Sequence, residues 1–418
     1  MFWYERIIEM DMSYLREMPI AVLGSGAVGK TIAADCKLAG KEVRLYGSKD
    51  NAEKTIKNLH KTGILLDGVQ RNRDSFERSG RAYLDVISSD MMEVVRGAGI
   101  ICVATTAWHH QGMFEQLIPC LEDGQVIMVF TDNFASLLLR KMMREAGCTK
   151  KVIVGGWASA PYGTRIENIN GYPMPHVGVK YRAITLRGAA LPASDTDDFV
   201  EAARYLPAMD AVFGGDGPVK GDTILDIDFA NVNPVIHVPA TILGVSTMEN
   251  WGVIFGGYDK TNYSMYAHGL CPTICEVQYQ FYNEEIALAG AIGVGCPKYK
   301  HKMFFSRRSI LTQEYMGLDK DGNDNVVFPL DQPSNEGNTG PNSIHHRYLT
   351  EDIPVSCKLY HELGVAYGVP TPIIDSMITL GGAFHKKNFF VDSRYSLEYL
   401  GIAKMSKRML NTYLRQEA

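Results

Sequence analysis

The segment that most constrains the fold is a glycine turn between two apolar stretches near the start of the chain. Residues 19–47 read PIAVLGSGAVGKTIAADCKLAGKEVRLYG. We predict a strand at Ile20–Leu23, a helix at Ala27–Leu38 and a second strand at Val43–Tyr46. A strand, a glycine turn, a helix and a strand in this order form a βαβ unit, in which the two strands are parallel.

The turn GSGAVG has the glycine spacing of a dinucleotide-binding loop. Gly24 permits the tight turn, Gly26 lets a pyrophosphate approach the backbone, and Gly29 lets the helix pack closely on the strand. The helix N-terminus then faces the phosphates. A glycine turn without a ligand is the alternative. We predict a nicotinamide dinucleotide site that includes the loop residues Gly24, Ser25, Gly26, Ala27, Val28 and Gly29.

Strand patterns continue to alternate with helical patterns after this unit. Strands are predicted at 99–104, 125–130 and 151–154, and helices at 110–121 and 135–145. This alternation implies a doubly wound parallel sheet, the Rossmann architecture, and hence an α/β fold class. Two shorter runs, VGVKYRAITL and AVFGG, are expected to add small strands to the same domain.

The pattern changes near residue 215, within the glycine-rich stretch GGDGPVKGD. Strand patterns largely vanish beyond it and long helical patterns replace them. A chain of 418 residues is also too long for one ordinary hydrophobic core. We predict an N-terminal extension at 1–18, a dinucleotide-binding Rossmann domain at 19–215, and an all-α substrate and catalytic domain at 216–418. A long polar loop is expected at 317–340.

Charge and cysteine usage argue against several functional classes. With 42 basic and 47 acidic residues, the net charge of −5 does not suit a nucleic-acid-binding protein. No apolar stretch is long enough to span a membrane. The eight cysteines lack metal-binding spacing and fit reduced thiols in a cytoplasmic protein. No metal site is predicted, because DKDGND at 319–324 lacks the glycine and glutamate positions of an EF-hand.

The end of the second strand selects between NAD and NADP. NAD enzymes usually place Asp or Glu there to bind the ribose hydroxyls, whereas this chain has Gly47, Ser48 and Lys49. Loss of the carboxylate removes repulsion toward a 2′-phosphate, which Ser48 can bind together with Lys49 or Arg44. NADP is therefore the preferred cofactor, and NAD is the alternative because Asp50 follows closely.

A second part of the cofactor site is predicted after the strand at 99–104. The segment CVATTAWHH, residues 102–110, begins in this strand and runs past its carboxyl end. Ligands of doubly wound sheets bind outside the carboxyl ends of the strands. We therefore expect Thr105, Thr106 and Ala107 to line the nicotinamide side of the cofactor site.

The helical half contains two clusters of polar residues among apolar ones. FANVNPVIHVPATIL, residues 229–243, places Asn231, Asn233 and His237 in a run that otherwise predicts a buried helix. GPNSIHHRYLTED, residues 340–352, is the second cluster. Buried amides and imidazoles are costly unless they have partners. A histidine alone in this setting is more often a satisfied core residue than a catalyst.

Following an N-terminal Rossmann domain, these clusters resemble segments of the opine dehydrogenases, a family that includes octopine and nopaline dehydrogenases and the bacterial carboxyethyl-norvaline enzyme. NVNPVIH is similar to the family's N-x-N-x-x-x-H segment, and RYLTED to its R-Y-x-x-E-D segment. VPTPIIDSMITL, 369–380, is similar to the helix opening that follows. The resemblance covers about residues 19–402. Two positions differ: Val238 stands where proline is frequent, and Gly47 where many members keep an acidic residue.

The resemblance implies reductive condensation of an amino acid with a 2-oxo acid, pyruvate by default, and the reverse oxidation. It implies His237 as the general acid/base, oriented by Asp352, and Arg347 as the clamp for a substrate carboxylate. Imidazole exchanges protons near neutral pH, and the planar guanidinium suits bidentate carboxylate binding. Asn231 and Asn233 would hold substrate or cofactor groups, or pin the helix backbone.

Two other functions stay open on the sequence. One is an NADP-dependent 2-oxo acid reductase of the ketopantoate type, although a lysine base is expected in that class. The other is an NADP-binding regulator without turnover. The expected partners are small molecules, an amino acid and a 2-oxo acid, whose identities the sequence does not specify, and a homodimer is an open alternative to a monomer.

Overall fold

The computed structural model describes residues 11–51, 55–68, 78–169, 172–254, 256, 260–305 and 339–416. Residues 1–10 of the predicted extension and residues 317–338 of the predicted polar loop lie outside these ranges. Backbone contacts divide the chain into two compact units, one of Met1–Ile224 with Tyr413–Ala418 and the other of Leu225–Thr412.

The first unit is built around an eight-stranded sheet with the order β12-β11-β8-β7-β6-β1-β2-β5. Its strands from β8 to β5 are all parallel to their neighbours, while β11 is antiparallel to β8 and β12 is parallel to β11. The strands are β1 (Ile20–Leu23), β2 (Val43–Tyr46), β3 (Ile64–Gly68), β4 (Gly80–Ala82), β5 (Val86–Ser88), β6 (Ile100–Val103), β7 (Val126–Phe130), β8 (Ile153–Trp157), β9 (Tyr162–Ile169), β10 (Tyr172–Arg182), β11 (Thr185–Ala190) and β12 (Gly217–Lys220).

Helices connect the parallel strands, which confirms the predicted doubly wound Rossmann architecture. Strands β1, β6 and β7 are buried along their whole length, as expected for a parallel sheet covered on both faces. Strands β1 and β2 and helix α1 have the predicted bounds. The helices of this unit are α1 (Ala27–Leu38), α2 (Leu59–Thr62), α3 (Met91–Val95), α4 (Ala107–Leu117), α5 (Ala135–Glu145), α6 (Thr196–Ala202) and α7 (Asp210–Phe213).

Two local predictions for this unit were wrong. AVFGG does not form a strand, because its first residues complete the short helix α7. The glycine-rich stretch GGDGPVKGD is not a simple link, because Gly217–Lys220 pairs with β11 as the edge strand β12. The compact units divide after Ile224, and the domain boundary near residue 215 stays a prediction.

A second sheet of four strands, in the order β4-β3-β10-β9, was not predicted. Helix α1 packs against these strands through Asp35, which is fully buried. The carboxylate of Asp35 accepts hydrogen bonds from Arg78, Arg182 and Tyr162. Burial alone would raise the pKa of Asp35, but Arg182 and Arg78 outweigh it and lower the pKa. This ion cluster ties α1, and with it the glycine turn, to the second sheet.

The second unit is helical in its described residues, which confirms the predicted α-helical C-terminal domain. The helix Asn233–Leu243 packs against the helices Pro272–Ile292, Arg347–Thr350 and Pro372–His385, so most of its residues are buried. One-turn π-helices occur at Met265–Gly269 and Ile353–Cys357. The helices from the division onward are α8 (Ile224–Phe229), α9 (Asn233–Leu243), α10 (Val245–Glu249), α11 (Trp251–Ile254), α12 (Pro272–Ile292), α13 (His301–Phe304), α14 (Arg347–Thr350), α15 (Lys358–Tyr367), α16 (Pro372–His385), α17 (Phe389–Asp392) and α18 (Lys407–Arg415).

Candidate active site

The glycine turn after β1 has the geometry that a bound dinucleotide requires. A Cβ on Gly24, whose φ is +120°, would lie 2.4 Å from the carbonyl oxygen of Ala104. A Cβ on Gly29 would lie 1.8 Å from the carbonyl oxygen of Gly24. Around Gly26, in contrast, no atom lies within 4 Å of such a Cβ. Two glycines therefore permit close packing and the middle one leaves open space at the N-terminus of α1, so the turn fits a pyrophosphate.

The predicted nicotinamide side lies next to this turn. The backbone N–H of Ala104 donates to Leu23 at 2.9 Å, which joins the ends of β6 and β1. Thr105 follows directly, and its Cβ is 3.5 Å from the position of a Cβ on Gly24. Thr106 is the N-cap residue of α4, and Ala107 is the first residue of that helix. The structure thus brings the two predicted parts of the cofactor site together at the carboxyl ends of β1 and β6.

The end of β2 has no space for the acidic residue that NAD enzymes usually place there. A Cβ on Gly47 would lie 2.6 Å from the Ile56 side chain and 3.1 Å from the hydroxyl of Ser25. Ser48 is partly exposed and Lys49 is exposed.

Arg44, which the sequence offered as a second source of charge for a 2′-phosphate, is engaged elsewhere. Its guanidinium pairs with Glu42 at 2.7 Å and donates to the Arg96 carbonyl at 2.5 Å. Lys49 is therefore the better placed cation at the end of β2.

Sequence reasoning missed the turn after β7, the strand beside β6. Asn133 and Phe134 have φ values of 46° and 64°, in the left-handed region that residues other than glycine rarely adopt. Such strain is frequent at functional sites. The local signal was the asparagine, because Asn tolerates this conformation better than most residues.

The catalytic candidates in the second unit meet in one place. His237 lies on α9, and its Nδ1 is 2.8 Å from Oδ2 of Asp352, which follows α14. The His237 side chain is only 4% exposed and that of Asp352 11%. The pair is 115 residues apart in the chain, so the fold rather than local sequence creates it. With Nδ1 bound to the carboxylate, Nε2 is the nitrogen left to exchange a proton with another group.

Two tyrosines that sequence reasoning did not assign to the site surround the imidazole. The ring of Tyr348 stacks on His237 with centroids 3.5 Å apart and an interplanar angle of 14°. The hydroxyl of Tyr266 lies 3.1 Å from Nε2 of His237. Tyr348 belongs to the RYLTED segment, which was a usable signal, whereas nothing in the sequence around Tyr266 indicated its position.

The surroundings favour a proton on the His237–Asp352 pair near neutral pH. Burial raises the pKa of Asp352 to about 7, although the positive charge of Arg347 opposes the shift. Because Asp352 and His237 are hydrogen-bonded to each other, they titrate as a coupled pair. The pair can therefore take up or release one proton in the physiological range.

Arg347 is the first residue of α14, and the residue as a whole is exposed. In the part of the chain that the structure describes, no ion pair within 4 Å joins Arg347 to Asp352. Burial would lower the pKa of the Arg347 guanidinium, but the negative charges of Glu351 and Asp352 outweigh it and raise the pKa.

Asn231 and Asn233 lie where α9 begins. Asn231 is 3% exposed, and its side-chain oxygen accepts a hydrogen bond from the backbone N–H of Asn233 at 3.2 Å. Asn233 is partly exposed and precedes His237 by one helical turn. The contact of Asn231 stabilises the start of the helix that carries His237.

Metal and disulfide chemistry find no support in the structure. Among the described residues, no group of three or more His, Cys, Asp or Glu side chains is arranged to hold a metal ion. The eight cysteines all lie in the described ranges, and none forms a disulfide bond. Within the same ranges, no helix is long and apolar enough to cross a membrane.

Comparison with known families accounts for both units. Residues 220–385 match the α-helical domain of NAD/NADP octopine/nopaline dehydrogenases, and residues 19–150 match the N-terminus of NAD-dependent glycerol-3-phosphate dehydrogenases. An opine dehydrogenase of Arthrobacter sp. (strain 1C) is 26% identical over 392 residues, which is 92% of this chain and 96% of the relative. The chain thus carries the α-helical domain of the octopine/nopaline dehydrogenases and resembles an opine dehydrogenase over nearly its whole length. It is accordingly an NAD(P)-dependent oxidoreductase.

Solved structures of octopine and yersinopine dehydrogenases share the fold. An octopine dehydrogenase in complex with NADH and agmatine aligns with a TM-score of 0.68 at 18% identity, covering 96% of this chain and 99% of the other. A yersinopine dehydrogenase with NADP+ bound aligns with a TM-score of 0.63 at 14% identity, with the same coverage. NAD(P) binding by this chain is supported by the two family matches. Of the two neighbours, one holds NADH and the other NADP+.

We expect Gly29→Ala to destabilise the protein and Gly26→Ala to leave its stability nearly unchanged. The alanine methyl at position 29 would collide with the Gly24 carbonyl, whereas the methyl at position 26 meets open space. Overpacking of this kind costs about 1–3 kcal/mol. The free energy of unfolding from urea titrations checks the difference, with Gly26→Ala as the matched control. Equal stability of the two variants would contradict the packing role of Gly29.

We also expect Asp352→Asn to flatten the pH dependence of stability. The folded protein holds the Asp352 proton up to about pH 7, whereas the unfolded carboxyl releases it near its ordinary pKa of 3.8. Between pH 3.8 and about pH 7 the folded state therefore binds more protons than the unfolded state. The stabilisation that this proton provides is complete below pH 3.8 and is lost as the pH rises through about 7. Relative to the variant, the wild-type free energy of unfolding should fall by about 2 kcal/mol between pH 5 and pH 8.

Urea titrations of both proteins at the two pH values measure this difference. The difference between wild type and variant isolates the His237–Asp352 pair, because all other titrating groups are shared. Parallel pH dependence of the two proteins would show that Asp352 does not hold a proton in the folded state.

Proposed function

We propose that this protein is an opine dehydrogenase that condenses an amino acid with a 2-oxo acid and reduces the product to an N-(carboxyalkyl) amino acid, and that it also runs the reverse oxidation. The observation that carries the proposal is the buried contact of 2.8 Å between His237 Nδ1 and Asp352 Oδ2 in a chain that carries the α-helical domain of this family. A carboxylate on one ring nitrogen fixes the imidazole and stabilises its protonated form. His237 is thus equipped to give and take the proton that the condensation needs.

The remaining residues of the site have roles that follow from their chemistry. His237 would supply, from Nε2, the proton with which the hydroxyl of the condensed substrate leaves as water, and it would take a proton back in the oxidation. The guanidinium of Arg347 would bind the carboxylate of the 2-oxo acid with two hydrogen bonds. Asn231 and Asn233 would position the start of α9 and, through it, His237. When bound at the glycine turn, the dinucleotide supplies the hydride.

NADP is the form of the cofactor that the residues after β2 favour. Ile56 and Ser25 fill the space where an acidic side chain at position 47 would lie. Ser48 and the exposed Lys49 would instead bind a 2′-phosphate by a hydrogen bond and by charge. The loop residues Gly24 to Gly29, with Thr105, Thr106 and Ala107, would hold the pyrophosphate and the nicotinamide.

The substrates are proposed at the level of class. An amino acid and a 2-oxo acid, with pyruvate as the default, suit a site with one fixed guanidinium and one proton-exchanging imidazole. Eight cysteines without a disulfide favour a reducing compartment such as the cytoplasm. A homodimer stays a prediction.

We expect the purified protein to oxidise NADPH with pyruvate only when an amino acid is also present. A screen of amino acids against pyruvate, 2-oxoglutarate and glyoxylate would identify the pair. For that pair, His237→Asn should lower kcat by about 10²–10⁴-fold while NADPH binding, followed by its fluorescence, survives. His301→Asn is the matched control, because His301 is an exposed histidine of the same unit that pairs with Glu276.

The same assay separates the rival functions. Equal rates with and without an amino acid would favour a 2-oxo acid reductase of the ketopantoate type. NADPH binding without turnover for any pair would favour a regulator. Unchanged turnover in His237→Asn would remove this residue from the mechanism.

The preference for NADP is tested by Lys49→Ala. If Lys49 contacts the 2′-phosphate, its loss should weaken NADPH binding by about tenfold, the effect of one charge-assisted hydrogen bond of roughly 1.4 kcal/mol. NADH binding should change little, because NADH lacks that phosphate. Dissociation constants for both cofactors, with the exposed Lys150→Ala as the control, measure the effect. Equal weakening of NADH and NADPH would contradict the assignment.

A further inference from the structure

Tyr266 occupies the side of His237 that Asp352 leaves available. Asp352 holds Nδ1, and the Tyr266 hydroxyl lies 3.1 Å from Nε2. The two rings meet edge to face, with centroids 6.4 Å apart and an interplanar angle of 77°. The nitrogen that must exchange a proton with substrate therefore already has a hydroxyl as its neighbour. A hydroxyl both donates and accepts hydrogen bonds, so it can pass a proton on.

The difference in accessibility supports a relay through this hydroxyl. The His237 side chain is 4% exposed, whereas Tyr266 is partly exposed. Tyr266 is therefore more accessible to a bound molecule than the imidazole of His237. The stack of Tyr348 on His237 fixes the imidazole plane, which keeps Nε2 directed at the hydroxyl.

The backbone that carries Tyr266 is held firmly beside α9. Tyr266 lies in the π-helical turn Met265–Gly269, a conformation that is frequent at functional sites. The backbone N–H of Met265 donates to Gly340 at 2.8 Å, and the Thr241 hydroxyl donates to the Met265 sulfur at 3.4 Å. Thr241 lies one turn after His237 on α9, so the helix that carries the imidazole also anchors the tyrosine.

We propose that Tyr266 is a catalytic residue that carries the proton between Nε2 of His237 and the substrate. The proposal rests on the proposed function. In the condensing direction, protonated Nε2 donates its proton to the Tyr266 oxygen while the Tyr266 O–H donates its own proton to the hydroxyl of the carbinolamine. The C–O bond breaks and water leaves, while the nitrogen lone pair forms the C=N bond. His237 ends neutral and Tyr266 is neutral before and after the step.

The competing role for Tyr266 is a plug that a substrate must displace from His237. The two roles differ in their kinetics. Loss of a relay hydroxyl lowers kcat, because the proton must travel without its carrier. Loss of a plug makes substrate binding easier, so KM falls while kcat is retained.

The test compares Tyr266→Phe with Tyr263→Phe. Phenylalanine keeps the ring and removes only the hydroxyl. Tyr263 is a buried neighbour on the same segment that contacts Trp251 and His268, and the structure places no contact between it and His237 within the described residues. For both variants and the wild type, kcat and KM would be measured across pH, together with the solvent isotope effect in mixtures of H2O and D2O. Thermal unfolding and NADPH fluorescence check that each variant folds and binds the cofactor.

We expect Tyr266→Phe to lower kcat by about 100-fold, with KM and NADPH affinity within about threefold of the wild type. The isotope effect should depend on the D2O fraction with curvature in the wild type, because two protons move, and linearly in Tyr266→Phe. Tyr263→Phe should behave as the wild type. A kcat within about threefold of the wild type, or a lower KM with unchanged kcat, would overturn the relay.

Failure of the relay is distinguishable from failure of the proposed function. Amino-acid-dependent turnover that survives in Tyr266→Phe overturns the relay alone. Wild-type turnover that does not depend on an amino acid, or no wild-type turnover with any pair, overturns the proposed function and the relay with it.

Discussion

The hydrogen bond between His237 and Asp352 is the interaction on which the helical unit is organised. Both groups are almost completely buried, so each would be costly without the other. The bond engages Nδ1 and leaves Nε2 as the nitrogen that faces the Tyr266 hydroxyl. Tyr348 covers one face of the same imidazole and keeps the ring in one plane. The two contacts together fix which nitrogen is left to exchange a proton and how the ring is oriented.

A neighbouring helix supports the helix that carries this buried pair. Pro239 has no N–H to donate to the carbonyl of Val235. Helix α9 therefore lacks one backbone hydrogen bond in the turn that contains His237. The buried side chain of Gln278 on α12 donates to the neighbouring carbonyl of Ile236 at 3.0 Å. This contact reaches the peptide group that leads into His237. The helix that carries the catalytic candidate is therefore supported by a polar contact from its packing partner.

In the first unit the main constraint is the close approach of two backbone segments at the glycine turn. Gly29 and Gly24 are in contact where any Cβ would collide, and this closeness brings the N-terminus of α1 to the end of β1. Asp35, which is fully buried further along α1, binds two arginines and a tyrosine. The helix is thus fixed at both ends, which leaves the space above Gly26 as the place for a phosphate group.

The sequence by itself determined the elements whose causes are local. Glycine spacing and apolar periodicity were sufficient for β1, α1 and β2, whose bounds agree with the structure, and for the change from an α/β half to a helical half. Only the tertiary structure decided which side chains meet. His237 and Asp352 are 115 residues apart, and Tyr266 is 29 residues from His237, so no local pattern records their contacts. The second sheet and the filled space at Gly47 were invisible for the same reason: both depend on packing between segments distant in the chain.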